Sequence, residues 1–438
     1  MQKPTSLSLL LHGLRQNFEA QGLRAIAANS AWLLFDKLMR VALGLVVSAW
    51  VARYLNPAQF GQLAYVIAYV ALFQAVARLG LDGIVVRDIA RTPEAAPVIL
   101  GTVFAMRTLA GVACWLAALA ILACLNGASD PTVLLVALAG GALLFQAADT
   151  IDLWFQSQSR SRSTVLAKLV AYLLSNGIKV GLIVAGAALP WFALVIAVEA
   201  LAAAISLAVV YAKSERRPRW SVARPMARAL LRESWPFLLG SFSVMIYMRI
   251  DQLMIREMLG NRSLGIYAAA LSISQLWHVI PTSLVISLAP YVARKKAAGE
   301  QAYNDALLLI FRAFGVFALA VSVLTALLSP LLVRLMFGAD YAGAAAILAV
   351  HVFSNVFVFQ GLAQSLWLTN EGAGHIALRQ MLLGGVAAIL ANFVLLPVMG
   401  PLGAAVAALV SYGISAVFSN AWFAPKIFSM QFGRRPRT

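Results

Sequence analysis

The sequence predicts an all-α polytopic membrane protein with about twelve transmembrane helices, and three observations support this. Hydrophobic residues make up 62% of the 438 residues, charged residues make up only 12%, and the mean hydropathy is +0.84. The apolar residues also lie in continuous runs. Many of these runs reach about 18 residues, which is long enough for a helix to cross a hydrocarbon core of ~30 Å. Strands of a membrane barrel would instead be alternating segments of about 10 residues.

The apolar runs define the individual spans. The third and ninth spans have the least sharply defined ends, and the stretch 330–338 after the ninth span is predicted to be a re-entrant elbow. The twelve predicted spans lie near 27–52, 62–80, 98–124, 132–156, 165–187, 191–212, 235–256, 265–290, 304–328, 341–367, 376–397 and 402–424.

Basic residues are concentrated in every second connection between the spans. The connections around 87–91, 160–162 and 213–232 are rich in Lys and Arg, whereas 126–131 and 187–190 contain neither. The positive-inside rule places the basic connections in the cytoplasm. We therefore expect a multi-pass membrane protein with both termini in the cytoplasm.

The net charge of +17 does not indicate a nucleic-acid-binding protein, because the excess is spread over these connections. There it orients the chain and contacts anionic membrane lipids, which are the expected partners of such segments. The segment 7–18 has apolar residues at helical spacing and is predicted to be an interfacial helix. The cysteines and histidines are scattered, so neither a metal site nor a catalytic site is predicted.

Two stretches of the chain resemble each other. The segment from Arg53 to Gly61 follows the first span, and the segment from Glu257 to Gly265 follows the seventh; each leads through a polar turn to a glycine and a new helix. Repeats of six spans related by an axis along the membrane normal are a known transporter design. The predicted organisation is an interfacial segment (1–26), a six-helix lobe (27–212), a basic linker (213–234), a second lobe (235–425) and a basic tail (426–438).

Several short motifs, in their order and spacing, resemble the polysaccharide transporters of the multidrug/oligosaccharidyl-lipid/polysaccharide superfamily, the Wzx-type flippases. The similarity covers nearly the whole chain. The motifs are Asp36-Lys37, Ala-Arg-Tyr-Leu-Asn-Pro-Ala-Gln-Phe-Gly at 52–61, Asp-Leu-Trp-Phe-Gln at 152–156, Arg-Ile-Asp at 249–251, Leu-Gly-Ile-Tyr-Ala-Ala-Ala at 264–270 and Asn-Phe-Val-Leu-Leu-Pro at 392–397.

This resemblance implies a V of two six-helix lobes around a central cavity. It also implies transport of a polyprenyl-diphosphate-linked oligosaccharide from the cytoplasmic to the periplasmic leaflet of the bacterial inner membrane, for O-antigen or exopolysaccharide synthesis. We expect a monomeric transporter that works in association with the polysaccharide polymerase machinery. The sequence does not specify the glycan.

Cations within the apolar spans are the first candidate site residues. Charges at the centre of a bilayer cost roughly 2.5–3.5 kcal/mol each on insertion scales, so they are expected to face a cavity or a partner. Lys37, Arg40, Lys179 and Arg249 are predicted to bind the substrate diphosphate. Arg grips such a group with two parallel hydrogen bonds, and Lys acts as a point charge. The alternative is that these cations form structural ion pairs between helices.

Acids within the spans are the second set. Asp36 is four residues before Arg40 and is expected to pair with it, whereas Asp251 is rotated by ~200° from Arg249 on an ideal helix. Acids of this kind couple transport to a proton or sodium gradient, or they pair with Lys179 or Arg249 across helices. The candidates are Asp36, Asp149, Asp152, Glu199 and Asp251.

The leading functional prediction is a non-enzymatic flippase that works by alternating access. One alternative is a drug or organic-cation antiporter of the same superfamily, which Asp36 would suit. A membrane polymerase or glycosyltransferase is a further alternative. It would need a catalytic acid and base and a sizeable outer loop, and the connections predicted to lie outside are short.

Overall fold

A computed structural model describes the backbone of residues 6–158, 160–214 and 217–435, and the side chains from Met39 onward within those ranges. In this part of the chain every regular element is helical. The first eight α-helices are α1 (Ser6–Ala77), α2 (Asp82–Arg91), α3 (Ala96–Asn126), α4 (Pro131–Gly140), α5 (Ala142–Phe145), α6 (Asp149–Ser157), α7 (Arg162–Val184) and α8 (Leu189–Ala212).

The second series begins within the predicted linker. It comprises α9 (Arg224–Ser274), α10 (Val279–Ala298), α11 (Glu300–Met336), α12 (Ala344–His351), α13 (Ser354–Glu371), α14 (Gly374–Met399), α15 (Pro401–Gly413), α16 (Asn420–Phe423) and α17 (Pro425–Gln431). A π-turn, Ile414–Phe418, joins α15 to α16.

Ten helical stretches of the described chain are long and apolar enough to cross a membrane. Two of them, Met39–Arg91 and Arg224–Ala298, have 53 and 75 residues and each include two of the predicted spans. Non-helical residues interrupt both stretches, Asn56 in the first and Gly260 in the second. The twelve predicted spans therefore all coincide with helix, and the prediction of an all-α polytopic membrane protein is confirmed.

The prediction of a re-entrant elbow at 330–338 is wrong. Helix α11 continues through Pro330 and ends at Met336. Two residues later, Gly338 adopts a φ of 90°. Proline removes the hydrogen bond to the carbonyl four residues earlier, here that of Ala326. The hydroxyl of Ser329 donates to this carbonyl at 2.8 Å, so the backbone group is satisfied and the helix continues.

The interruptions in α1 and α9 have the same geometry. Asn56 has φ 61° and ψ 167°, and Gly260 has φ 82° and ψ 174°. The helical turns that follow pack against each other so closely that a Cβ on Gly61 would lie 1.8 Å from the Asn261 carbonyl oxygen. These two segments, 56–61 and 260–265, are called the paired turns below. They join the first and second series of helices at one end of the bundle.

Other contacts between the two series lie beside the paired turns. The Tyr341 hydroxyl donates to the Ala52 carbonyl at 2.7 Å, and the Arg53 guanidinium donates to the Leu335 carbonyl at 2.5 Å. A large cluster of buried hydrophobic residues from α1, α4, α8, α9 and α12 surrounds them. The cores near the opposite end are separate, one formed mainly by α2, α3 and α6 and the other by α10, α11, α13 and α17.

The basic linker predicted at 213–234 is partly helical, because α9 begins at Arg224. Leu230 is buried in the core that contains Leu81, and Glu233 pairs with Arg87 at 2.6 Å. The start of α9 is thereby bound to the first series of helices. The predicted interfacial segment 7–18 has side chains outside the described residues.

Candidate substrate cavities

The first candidate cations lie at the start of the described side chains. Asp36 and Lys37 belong to α1, but their side chains are outside the described residues. The Arg40 guanidinium donates to the Val165 carbonyl of α7 at 3.0 Å, and the Tyr172 hydroxyl donates back to the Arg40 carbonyl at 2.7 Å. Gly44 leaves the space that the Tyr172 hydroxyl occupies. These two hydrogen bonds attach Arg40 of α1 to α7.

Lys179 lines a cavity of about 150 Å³ between α1, α7 and α8. Its ammonium lies 3.8 Å from the Glu199 carboxylate, which also accepts a 2.6 Å hydrogen bond from the Ser175 hydroxyl. The pair is loose, so Lys179 keeps donors for another anion. The lining residues of this N-terminal cavity are Gly44, Val47, Ser48, Val51, Phe60, Leu63, Ile67, Tyr172, Asn176, Lys179, Phe192 and Ile196.

Arg249 and Asp251 do not form an ion pair within 4.0 Å, in keeping with their different faces on α9. Asp251 instead accepts hydrogen bonds from the Tyr267 hydroxyl at 2.5 Å and from the Gln252 backbone at 2.8 Å. Arg249 is half-buried, and its Nε is buried without a hydrogen-bond partner. Among the described residues, no carboxylate lies within salt-bridge distance of this guanidinium.

Asp149 and Asp152 contact Lys168, and not Lys179 or Arg249 as the sequence suggested. Both carboxylates lie 2.8 Å from the Lys168 ammonium. Lys168 and Lys179 are eleven residues apart on α7, which separates them by about 16 Å along the axis. The carboxylates of α6 therefore reach Lys168 and not Lys179. Asp149 and Asp152 share the single charge of Lys168, while Glu199 faces Lys179.

Two further arginines of the spans have structural contacts. Arg107 is only 2% exposed and pairs with Asp82, so it joins α3 to α2. Arg312 donates to the Gly433 carbonyl at 2.6 Å and fixes the chain after α17. Both lie within predicted spans, and the sequence contains no signal for their partners, which lie 25 and 121 residues away.

Arg256 lies beside the paired turns and connects α9 to the start of α4. Its guanidinium is 3.5 Å from the Asp130 carboxylate and 4.6 Å from the centre of the Tyr65 ring. Burial alone would raise the pKa of Asp130, but hydrogen bonds from Thr132 and Asn126, with the charge of Arg256, outweigh it. The pKa of this carboxyl is therefore below its ordinary value, and Asp130 caps α4 as an anion.

A second and larger cavity, of about 650 Å³, lies between α9, α13, α14 and α15. This C-terminal cavity was not predicted, because Gln, Ser and Tyr are too common in spans to mark a site. None of its lining residues is Lys, Arg, Asp or Glu. The polar residues that line it are Tyr247, His278, Gln364, Ser365, Thr369, Gln380, Tyr412 and Ser415.

The described chain is thus a polytopic all-α membrane protein with cavities between its helices. The structure is similar to an inward-facing multidrug resistance MATE family transporter of the MOP superfamily, with a TM-score of 0.73, 16% identity and coverage of 90% of this chain and 96% of that one. It is also similar to the lipid II flippase MurJ in an inward closed conformation, with a TM-score of 0.69, 14% identity and coverage of 91% and 89%. For an outward-facing MATE family transporter the TM-score is 0.60, with 14% identity and coverage of 92% and 96%.

Residues 26–296 match the family model described as polysaccharide biosynthesis protein, and the chain belongs to that family. No curated protein sequence matches the chain significantly. The identities to the solved structures are low, so those similarities concern the fold. The chain is therefore a polytopic membrane protein of the polysaccharide biosynthesis family, with a fold similar to those of the MATE family transporter and the flippase MurJ.

Proposed function

We propose that the protein moves a polyprenyl-diphosphate-linked oligosaccharide from the cytoplasmic to the periplasmic leaflet of the inner membrane. The observation that carries the proposal is Arg249, a half-buried guanidinium in a membrane span with no carboxylate within salt-bridge distance among the described residues. A charge in this position is costly unless it faces water, a partner or an anion that binds there. In a polysaccharide biosynthesis family, the diphosphate of a lipid carrier supplies such an anion.

Lys179 provides a second cation in the first series of helices. Its 3.8 Å separation from Glu199 leaves ammonium donors for a phosphate oxygen. Lys37, whose side chain lies outside the described residues, belongs to the same proposal. Cations from both series suit a diphosphate that is held while the two series of helices rock against each other. The glycan then crosses in water and the polyprenyl chain remains in lipid.

The conformation supports the first step of this cycle. The two series of helices meet through the paired turns, which the charge distribution of the connections assigns to the periplasmic side. The TM-score is higher with the inward-facing MATE transporter than with the outward-facing one, 0.73 against 0.60. We assign the structure to an inward-facing state that is ready to take substrate from the cytoplasmic leaflet.

Reconstituted protein tests the proposal directly. Lipid-linked oligosaccharide extracted from the producing cells is placed in proteoliposomes, and its movement between leaflets is measured for wild type, Lys179→Ala and Arg249→Ala. We expect each substitution to slow flipping by about tenfold or more, because a charge-assisted contact to the diphosphate is lost. Arg91→Ala, an exposed cation at the end of α2, is the control and should flip at the wild-type rate.

Unchanged flipping in both folded variants would remove these cations from the substrate site. The antiporter alternative rests on Asp36, Glu199 and Asp251, acids of the spans that could bind a cation or exchange a proton. Lys37→Ala completes the set of candidate cations. Export of ethidium by the same vesicles, with no movement of the lipid-linked oligosaccharide, would favour the antiporter.

A further inference from the structure

Two arginines connect the two series of helices beside the paired turns. Arg53 lies on α1 one turn before the interruption at Asn56, and Arg256 lies on α9 one turn before the interruption at Gly260. The Arg53 guanidinium contacts the second series, and the Arg256 guanidinium contacts the first. Each half of the chain therefore extends one cation across the interface, at the end that the charge of the connections assigns to the periplasm.

Arg53 contacts the end of α11. Its guanidinium donates to the carbonyls of Arg334 and Leu335, in the last turn of that helix. The last carbonyls of a helix have no partner within the helix and lie at the negative end of its dipole, so a cation that donates to them is stabilised twice. The acceptors are neutral and Arg53 is exposed. Separation of the two series therefore replaces this contact with water and leaves no buried charge.

Arg256 contacts the start of α4. Its guanidinium lies 3.5 Å from the Asp130 carboxylate and 4.6 Å from the centre of the Tyr65 ring, and both partners belong to the first series. On its own helix it also pairs with Glu257, at 2.6 Å. Asp130 is fixed in place because it caps α4 and accepts from the Thr132 backbone at 2.7 Å. The contact across the interface is thus an ion pair reinforced by an aromatic face.

The two acceptor sites occupy equivalent places in the two halves of the chain. Asp130 lies between the third and fourth predicted spans, and Arg334 lies between the ninth and tenth. They are 204 positions apart, which is also the separation of Gly61 and Gly265, and the two arginines that reach them are 203 positions apart. The contacts are therefore reciprocal about the same internal axis as the paired turns.

The two arginine contacts join the parts of the molecule that separate when the periplasmic side opens, so opening must break both. We propose that Arg53 and Arg256 form a periplasmic clamp that sets the balance between the closed and open states of this side. The side chains of Arg256 and Asp130 are 14% and 20% exposed, and contacts between partly exposed charges are weak enough to break during a transport cycle. The clamp belongs to the inward-facing state assigned above, and its role is the same for any substrate.

The opening is measured on purified full-length protein in nanodiscs, without substrate. Spin labels are attached at Ala188 in the first series and at Val398 in the second, since both are exposed and lie in connections assigned to the periplasm. Cys114 and Cys124 are replaced by alanine, so that only the two chosen positions are labelled. The distribution of distances between the labels gives the ratio of open to closed molecules.

Arg53→Gln and Arg256→Gln each remove one contact of the clamp. We expect each to raise the ratio of open to closed molecules by about threefold to tenfold, as for the loss of one partly exposed charged contact. The double variant should show about the product of the two changes, because the contacts share no partner. Arg262→Gln is the matched control. Arg262 is an exposed cation of the second paired turn and forms no hydrogen bond or ion pair within the described chain, so the ratio should remain that of wild type.

Asp130→Asn separates the ion pair from the cap of α4. Asn also caps helices, so α4 keeps its N-terminal hydrogen bond while Arg256 loses its anion. We expect Asp130→Asn to raise the ratio by no more than Arg256→Gln does, and to have no further effect when the two are combined, because both remove the same contact. Arg256→Lys keeps the charge and should lie between wild type and Arg256→Gln. Thermal unfolding of each labelled variant establishes that it is folded.

Wild-type ratios in both folded variants, Arg53→Gln and Arg256→Gln, would overturn the clamp. An equal rise in Arg262→Gln would also overturn it, because the loss of any positive charge at this end would then suffice. If wild type shows only the closed distance, the open distance should become visible in the double variant, and its absence there would count against the clamp in the same way. These outcomes leave the proposed substrate unaffected, because no substrate is present.

Discussion

Gly61 and Gly265 lie backbone against backbone, at equivalent positions of two similar segments. A Cβ on Gly61 would be 1.8 Å from the Asn261 carbonyl oxygen, and a Cβ on Gly265 would be 1.8 Å from the Pro57 carbonyl oxygen. Gly61 and Gly265 are 204 positions apart in the sequence, and so are Pro57 and Asn261. A reciprocal contact of this kind is what an internal two-fold axis produces. It lets α1 and α9 approach as closely as small residues allow.

Adding one methyl group at this contact should destabilise the protein. Gly61→Ala and Gly265→Ala each place a Cβ 1.8 Å from a backbone carbonyl oxygen, which is well inside van der Waals contact. Helices α1 and α9 must therefore separate. We expect a loss of about 1–3 kcal/mol or more, as for other overpacked sites, measured by thermal unfolding in detergent. Gly385→Ala is the control, since nothing lies within 4 Å of its added Cβ. Equal unfolding temperatures for all three variants would contradict the contact.

Asn56 should tolerate glycine better than alanine. Its φ of 61° and ψ of 167° lie in a region that is essentially restricted to glycine, and Gly260 occupies the equivalent position. Asn56 compensates through its side-chain oxygen, which accepts from the backbone of Ala58 at 3.0 Å and Gln59 at 3.2 Å.

Asn56→Ala loses this cap and keeps the strain, so we expect it to lower stability by about 1–2 kcal/mol. Asn56→Gly loses the cap but relieves the strain, and we expect a change of less than about 1 kcal/mol. Thermal unfolding of the two variants in one detergent gives the comparison. If Asn56→Ala were as stable as Asn56→Gly, the backbone at position 56 would not be strained.

Lys168 should be required for stability because two carboxylates share its positive charge. Lys168→Met leaves Asp149 and Asp152 facing each other without a cation. The groups are partly exposed, so we expect a loss of about 1–3 kcal/mol, less than for a fully buried pair.

Adding Asp152→Asn to Lys168→Met should restore part of this loss, because one of the two repelling charges is removed. Lys213→Met, at an exposed lysine after α8, should have little effect and serves as the control. Unfolding temperatures of the single, double and control variants test the assignment. A double variant less stable than Lys168→Met would show that the two acids do not repel each other.

The contact of Asp130 with α4 and Arg256 should make stability depend on pH. The pKa of Asp130 is lowered in the folded protein, while an unfolded Asp has a pKa of about 3.9. The stabilisation is therefore fully present above about pH 4 and is lost as the pH falls through the folded pKa. Asp130→Asn should be less stable than wild type at pH 7, and the difference should shrink below pH 4. A difference that stays constant over this range would contradict the role of the carboxylate.

The sequence was sufficient to predict the spans, because a helix in a bilayer satisfies its backbone hydrogen bonds within its own segment. Length, composition and continuous apolar runs therefore decide which residues are helical. The similarity around Gly61 and Gly265 was also visible in the sequence, although their mutual contact was not. Pro330 was misleading, because the compensating bond from Ser329 depends on a side-chain rotamer.

The partners of the intramembrane charges were decided by the tertiary structure. Lys168 binds Asp149 and Asp152, Lys179 faces Glu199, and Asp251 accepts from Tyr267 and forms no ion pair with Arg249 within 4.0 Å. These pairings depend on how far each helix is rotated and shifted against its neighbour, which side-chain packing across helices determines. The uncharged C-terminal cavity has the same origin, since its walls come from four helices and none of them alone marks a site. The sequence by itself determined a membrane bundle with excess positive charge, and the packing of that bundle decided which charges are neutralised and where a ligand fits.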